Sequence, residues 1–281
     1  MPSVSKEDKN KESTSQLCKF LRDSYLDRTS RPIYALAYLA FFIILYEIGT
    51  ILISPAQLSE ALARPQIRVV AFVWVQNLLE YLGFSERLMW LLPPLVVVVI
   101  LVTLQITSRT RWAVSVKDFL PMTIECVLLA VPLVVLSMVV NRPAAAAALQ
   151  APDVASGAEL LVNIVTGIGA GIYEELVFRL ILICLLMLLF GDLLGMSRGR
   201  SVVFSVVISA ALFSAHHHIF FVNGGFGVGE VFTPARFMFR TLAGIYFAIL
   251  FAIRGFGIAA GTHVFYDIIA AVINARLAGA G

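Results

Sequence analysis

Long apolar runs, separated by short polar stretches, follow one another along the chain after residue 31. A helix of roughly 20 apolar residues crosses a hydrocarbon core about 30 Å thick. Seven runs approach or exceed that length: Pro32–Ile53, Leu88–Ile106, Phe119–Val140, Leu160–Phe190, Val202–Val222, Phe237–Ile253 and Phe256–Ile273. The pattern predicts an all-α fold, a polytopic transmembrane helix bundle of seven to eight spans.

An eighth segment, Val69–Gly83, is ambiguous because it is short and places Gln76, Asn77 and Glu80 on one helical face. It is either an amphipathic helix lying at the membrane surface or a short span lining the bundle. If it lies at the surface, most Lys and Arg residues fall on one side, in residues 1–31 and in the connections 107–117 and 191–200. Since cytoplasmic loops carry an excess of Lys and Arg, we expect seven full spans and a cytoplasmic N terminus.

Composition agrees with this interpretation. Hydrophobic residues make up 59% and charged residues 14% of the 281 residues, whereas soluble domains have about 45–50% apolar and about 25% charged residues. Such a chain cannot cover its surface with polar groups, which excludes a soluble globular enzyme, a disordered tail protein and a nucleic-acid binder. The expected surroundings are the lipid bilayer. Three cysteines are too few and too scattered for a disulfide framework or a cysteine-based metal site.

Ionisable residues inside the apolar runs are the informative exceptions, since each costs about 2.5–3.5 kcal/mol at bilayer depth and usually has a functional reason. Glu174, Glu175 and Arg179 form the first group. Glu175 and Arg179 are spaced i, i+4 with the acid first, which favours an ion pair. Glu174 has no such local partner and is a candidate reactive carboxylate. The alternative is a neutralised ion cluster that only holds helices together.

Histidines supply the second and third groups. Three consecutive histidines, His216 to His218, end an apolar run, and because they point in different directions on a helix, one or two of them can serve one site. We expect His216 or His217 to be buried and His218 to lie at the interface. His263 and Asp267 are spaced i, i+4, so the carboxylate can orient the imidazole or join it at a metal or substrate.

These groups suit the activation of a water molecule, which needs a carboxylate base, imidazoles and a positive charge. One Glu and two His also make a reasonable zinc site, for which Glu174, His217 and His263 are the candidate ligands. The chain lacks a His-Glu-x-x-His motif. A mechanism that uses the glutamate without a metal is therefore equally compatible with these residues.

Three motifs in this order resemble those of the CPBP family, the CAAX prenyl endopeptidases and bacteriocin-processing or immunity membrane proteins. The motifs are Glu174-Glu175-x-x-Phe178-Arg179, Phe213-x-x-x-His217 and His263-x-x-x-Asp267. The connecting residues Gly244-Ile-Tyr246, Arg254-Gly255 and Ala259 agree as well. The resemblance covers about residues 158–275, and the preceding half is similar only as generic membrane helices.

The resemblance implies roles for the site residues. Glu174 would be the general base that activates water for peptide-bond hydrolysis, and His217, or His216 in its place, would hold that water or ligate a metal. His263 and Asp267 would face the carbonyl oxygen as it gains charge. Glu175 and Arg179 would shape and neutralise the site.

The leading hypothesis is thus an intramembrane endopeptidase acting on a peptide or protein, lipidated or not, in a bacterial cell membrane. The alternative is a non-catalytic scaffold or immunity protein of the same fold. A proton-coupled transporter ranks lower because internal repeats are not evident.

The expected organisation has four parts: a polar cytoplasmic tail (1–31), N-terminal transmembrane helices (32–157), a catalytic helical core (158–275) and a C-terminal tail (276–281). The alanine-rich stretch 141–157 is interpreted as a connector. The glycine-rich stretch 224–229 is interpreted as a mobile loop or substrate gate. Arg236 and Arg240 are interpreted as interfacial anchors.

Overall fold

The computed structural model describes residues 23–53, 70–83, 92–148, 157–222 and 225–278. These residues form a helix bundle with one small hairpin. The helices are α1 (Tyr25–Thr29), α2 (Pro32–Leu52), α3 (Val70–Tyr81), α4 (Leu92–Ser108), α5 (Phe119–Ala148), α6 (Gly157–Glu175), α7 (Ile183–Met187), α8 (Arg198–Ala215), α9 (Pro234–Arg254) and α10 (Phe256–Ala278). A 3₁₀ turn at Val116–Asp118 precedes α5, and π-helical segments at Leu176–Leu182 and Leu188–Leu193 flank α7.

Six helical stretches in the described ranges are long and apolar enough to cross a membrane: Pro32–Leu52, Val116–Val140, Gly157–Leu193, Arg198–Ala215, Pro234–Arg254 and Phe256–Arg276. The prediction of an all-α polytopic bundle is therefore confirmed. The seventh predicted span corresponds to α4, which has 17 residues here, and its expected start at Leu88 lies outside the described residues.

The short helix α3 settles part of the ambiguity at Val69–Gly83. It has 12 residues, too few to span a bilayer. Its apolar face, with Val70, Ala71, Val75 and Leu79, is buried, and the helix packs against α6. The segment therefore lines the bundle.

The predicted run Val202–Val222 is wrong at its C-terminal end. Helix α8 ends at Ala215, with His216 as its C-cap. The chain then forms strand β1 (Ile219–Val222), which pairs antiparallel with β2 (Gly225–Val228). The β-branched and aromatic residues of β1 favour a strand, and the glycine-rich stretch expected to be a loop supplies its partner.

Two other boundaries also differ from expectation. The predicted run Leu160–Phe190 lies within a longer helical stretch, Gly157–Leu193, which extends beyond it at both ends. Helix α5 continues to Ala148, into the alanine-rich stretch expected to be a connector. Alanine has the highest helix propensity of all residues, which explains this extension.

Glycines on α6 allow its neighbours to approach closely. A Cβ atom added at Gly171 would lie 2.6 Å from the backbone nitrogen of Val264 on α10. One added at Gly169 would lie 2.4 Å from the ring of Tyr46 on α2. Small residues are what permit such contacts between membrane helices. Helix α6 is thus held between α2 and α10.

At one end of the bundle, Arg254 joins three parts of the chain. Its guanidinium donates to both carboxylate oxygens of Glu125 on α5, at 2.6 and 2.8 Å, and to Thr29 at 2.9 Å. Tyr25 donates to Glu125 as well. The last part of the predicted polar tail, from Asp23 onward, is therefore folded against the bundle. Gly255 follows with φ of 79°, a conformation that favours glycine.

We predict that Gly171→Ala destabilises the protein by about 1–3 kcal/mol, because the added methyl group overpacks the contact between α6 and α10. The measurement is the midpoint of thermal unfolding in detergent. Gly199→Ala in α8 is the control, since an added Cβ meets nothing within 4 Å there. Equal midpoints for the two variants would contradict the close packing.

Candidate functional site

Three elements meet at one buried polar cluster inside the bundle. The end of α6 contributes Glu174 and Glu175, the turn after α8 contributes His216, and α10 contributes His263. Each of these residues is at most 4% exposed. Side chains distant in the sequence thus share a site that is shielded from solvent.

Glu174 lies between two imidazoles. Its Oε1 is 3.4 Å from Nε2 of His216, and its Oε2 is 3.8 Å from Nε2 of His263. Nδ1 of His216 contacts the carbonyl oxygen of Phe213, which only a protonated nitrogen can do as a donor. The other nitrogen of His216 is therefore directed at the Glu174 carboxylate.

Glu175 connects the imidazole of His263 to a guanidinium. Nδ1 of His263 donates to Oε1 of Glu175 at 2.8 Å, and Nε of Arg179 lies 3.2 Å from Oε2. The predicted i, i+4 pair of Glu175 and Arg179 is present. Nη1 of Arg179 and Oε2 of Glu175 have no hydrogen-bond partner among the described residues. Such atoms in a buried cluster mark a site that can accept further polar groups.

Aromatic rings and a backbone carbonyl hold the charged groups in place. The Arg179 guanidinium lies 4.1 Å from the ring centroid of Phe213, a cation–π contact, and its Nη2 donates to the Gly244 carbonyl at 3.4 Å. The His263 ring stacks on Phe247 with centroids 4.4 Å apart. These contacts restrict both side chains to one orientation.

Asp267 lies next to His263 on α10, as the spacing predicts. Its Oδ2 is 3.8 Å from Nε2 of His263, and its side chain is 13% exposed. Helix α6 can come close here because Gly167 has no side chain. A Cβ atom added at this position would lie only 2.8 Å from Cβ of Asp267. The predicted group of Glu174, Glu175, Arg179, His263 and Asp267 is therefore brought together.

The positions of the three consecutive histidines differ from the motif-based assignment, which named His217 first as the site histidine. His216 faces Glu174 directly, whereas Nδ1 of His217 lies 3.0 Å from the Phe213 carbonyl oxygen and 3.2 Å from Nδ1 of His216. Burial and the neighbouring His216 hold the pKa of His217 well below its usual value, so this imidazole is neutral near pH 7. His218, expected at the interface, is only 4% exposed and its Nδ1 donates to the Glu230 carbonyl at 3.0 Å.

One group of donor atoms in the described part of the chain has metal-ligand spacing. Atoms of Glu174, His216 and His217 lie within 4.8 Å of one another. His263, the third ligand expected from the sequence, is not in this group. Its ring is bound instead through Nδ1 to Glu175.

The negative charges outnumber the permanent positive charge. Glu174, Glu175 and Asp267 are three carboxylates against the single guanidinium of Arg179, all at most 9% exposed. An uncompensated charge is costly at this depth. A nearby positive charge, such as a protonated imidazole or a metal ion, lowers this cost.

Two features near the site were not predicted. Trp74 of α3 lies with its ring centroid 5.8 Å from His216 and 6.0 Å from Phe178, so α3 forms part of the site wall. Arg240 and Arg236, expected to be interfacial anchors, both face Glu230, at 2.6 and 3.8 Å. The apolar run of α3 carried no signal for this placement, since contacts between distant helices leave no local pattern.

The fold and the cluster define a polytopic membrane protein with a buried site of carboxylates, imidazoles and a guanidinium. A family model described as type II CAAX prenyl endopeptidase Rce1-like matches residues 156–269. This confirms the resemblance to the CPBP family, which is a family of proteases, and the matched residues 156–269 hold every site residue named above except Trp74. No curated protein and no solved structure gives a significant match.

We predict that Arg179→Met destabilises the protein by about 3–5 kcal/mol, because it leaves the Glu175 carboxylate buried without its cation. The double variant Arg179→Met with Glu175→Gln should recover part of this loss, since it removes the orphaned charge. The measurement is thermal unfolding of wild type, both single variants and the double variant. A double variant no more stable than Arg179→Met would contradict the pairing.

Proposed function

We propose that the protein is an intramembrane endopeptidase in which Glu174 activates a water molecule for hydrolysis of a peptide bond. The observation that carries the proposal is the position of Glu174, a carboxylate 1% exposed with one oxygen directed at His216 and the other at His263. The match to the CAAX prenyl endopeptidase family supports peptide or protein as the substrate class.

In the proposed reaction, a water bound beside Glu174 gives a proton to the carboxylate as its oxygen attacks the scissile carbonyl carbon. The Nε2 of His216, 3.4 Å from Glu174, holds the water in line and shares the proton with the carboxylate. Glu174 then returns the proton to the leaving amine as the tetrahedral intermediate collapses. General base and general acid steps thus use one side chain.

The oxyanion needs hydrogen-bond donors directed at the place where the negative charge develops. His263 donates through Nδ1 to Glu175, so it can donate through Nε2 only as an imidazolium. Asp267 at 3.8 Å and Glu174 at 3.8 Å favour that protonated form. We assign His263 as the oxyanion donor and Asp267 and Glu175 as the carboxylates that keep it charged.

Arg179 acts through Glu175 in this proposal. It stabilises the Glu175 carboxylate with a 3.2 Å ion pair, and Glu175 in turn orients His263. In place of His217, named first by the motif, we propose His216 as the imidazole that contacts the water. His217 packs against it, with the two ring centroids 4.0 Å apart.

A zinc ion fits the group of Glu174, His216 and His217, because one Glu and two His are a donor set found in catalytic zinc sites and their atoms lie within 4.8 Å. Zinc bound there would lower the pKa of a coordinated water and polarise a carbonyl. The steps assigned above to Glu174, His216 and His263 use this chain's own residues.

We further propose that the N terminus is cytoplasmic, that the membrane is a bacterial cell membrane, and that residues 158–275 are the catalytic core. The matching family is described as CAAX prenyl endopeptidases, and a lipidated peptide is accordingly the first substrate to test.

We predict that Glu174→Gln lowers the rate of peptide cleavage by about 10²–10⁴-fold, because the amide cannot accept the proton of the attacking water. The measurement is cleavage of a library of prenylated and unmodified peptides by the purified protein, read by mass spectrometry. Glu159→Gln, on the first turn of the same helix, is the control and should cleave like wild type. Cleavage by Glu174→Gln at the wild-type rate would favour a non-catalytic scaffold or immunity protein for this site.

We predict that His216→Ala weakens zinc binding more than about tenfold, since removing a ligand costs at least as much as removing an outer partner. His263→Ala should leave zinc affinity within about twofold, because His263 lies outside the donor group. Isothermal titration of the metal-stripped protein with zinc gives both values. A larger loss of zinc affinity in His263→Ala than in the other variant would instead support the ligand set expected from the sequence, Glu174, His217 and His263.

A further inference from the structure

A π-helical segment begins directly after the two glutamates of the site. Residues Leu176–Leu182 are π-helical, with Glu175 as the residue before them. π-Helical turns are rare in proteins and are frequent at functional sites. The change from i+4 to i+5 hydrogen bonds alters the rotation of each later side chain about the helix axis. Arg179, in the middle of this segment, therefore depends on it for its position.

A hydroxyl group from the neighbouring helix binds the backbone of this segment. Oγ of Ser209 on α8 donates to the carbonyl oxygen of Phe178 at 2.6 Å, and Ser209 is 2% exposed. A backbone carbonyl oxygen has two lone pairs, so Phe178 can accept this bond in addition to one within its own helix. The hydroxyl of Ser209 thus binds this segment in its π-helical conformation.

The bonded carbonyl belongs to the residue just before Arg179. The Arg179 guanidinium contacts Oε2 of Glu175 at 3.2 Å, and Glu175 binds His263 at 2.8 Å. Among the described residues, Ser209 forms no hydrogen bond with any of these three side chains. Its hydrogen bond therefore acts on the site through the backbone of the π-helical segment.

We propose that Ser209 is a positioning residue whose hydroxyl holds the π-helical turn at Phe178 and thereby sets Arg179 against Glu175. The proposal rests on the proposed protease function for its effect on catalysis, but the anchoring of the turn does not. Without the hydroxyl, the Phe178 carbonyl loses its bond from α8, and the turn is free to return to α-helical spacing. Arg179 then rotates relative to Glu175, and His263 loses its fixed orientation.

Helix α8 offers a matched control one turn earlier. Ser205 is 0% exposed, like Ser209 it lies within the helix, and its Oγ has no hydrogen-bond partner among the residues that the structure describes. Ser205→Ala removes the same hydroxyl volume from the same buried face. It removes no bond to the π-helical turn.

The first measurement is steady-state cleavage of a peptide that the wild type hydrolyses. Ser209→Ala should lower kcat by about 10–100-fold, the effect of a displacement near 1 Å on catalysis, with KM within about twofold. Ser205→Ala should retain kcat within about twofold. A Ser209 role in stability alone would lower the unfolding temperature but leave the kcat of the folded protein unchanged, and that result would overturn the proposal.

The second measurement is amide hydrogen exchange of residues 176–182, followed by mass spectrometry, which requires no substrate. Ser209→Ala should accelerate exchange in this segment, whereas Ser205→Ala should not. Equal exchange in the two variants would overturn the anchoring, whether or not any peptide is cleaved. Absence of cleavage in the wild type, with accelerated exchange in Ser209→Ala, would refute the protease function and retain the anchored turn.

Discussion

The ion pair between Glu175 and Arg179 is the interaction on which the buried site depends. Both side chains are at most 1% exposed in a chain that is 59% hydrophobic, where a single uncompensated charge would be expelled or neutralised. Glu175 also holds His263, and His263 lies against Glu174. The guanidinium of Arg179 thus allows two further ionisable groups, His263 and Glu174, to remain buried inside the bundle. The site exists because its charges compensate one another.

That compensation requires helices at unusually short separations. Glycines at positions 167 and 171 let α10 approach α6, so that Asp267 and Val264 contact the backbone of α6. Gly244 does the same for α8 and α9, where an added Cβ would lie 3.0 Å from Ala210, and its carbonyl accepts from Arg179. Close packing and the polar network are therefore two aspects of one arrangement. A larger residue at either place would separate groups that must be within hydrogen-bond distance.

Much of this could be predicted from the sequence, because apolar length and local spacing are properties of short segments. The bundle, the Glu175–Arg179 pair and the proximity of His263 and Asp267 all follow from patterns within one helix. The choice between His216 and His217 could not be predicted, since it depends on where α8 ends and how the following turn directs each ring. The wall residue Trp74 and the bond from Ser209 to Phe178 arise from contacts between helices. Strand β1 could not be predicted for a different reason: Ile219–Val222 is as apolar as the helix that precedes it.

Chemical rescue of a variant without the glutamate tests the central claim most directly. Glu174→Ala should cleave peptide at a rate reduced by about 10²–10⁴-fold, and added formate, a small carboxylate that can enter the vacated space, should raise the rate in proportion to its concentration. Formate should have no such effect on the wild type. Cleavage by Glu174→Ala at the wild-type rate without formate would contradict the claim that this carboxylate activates the water.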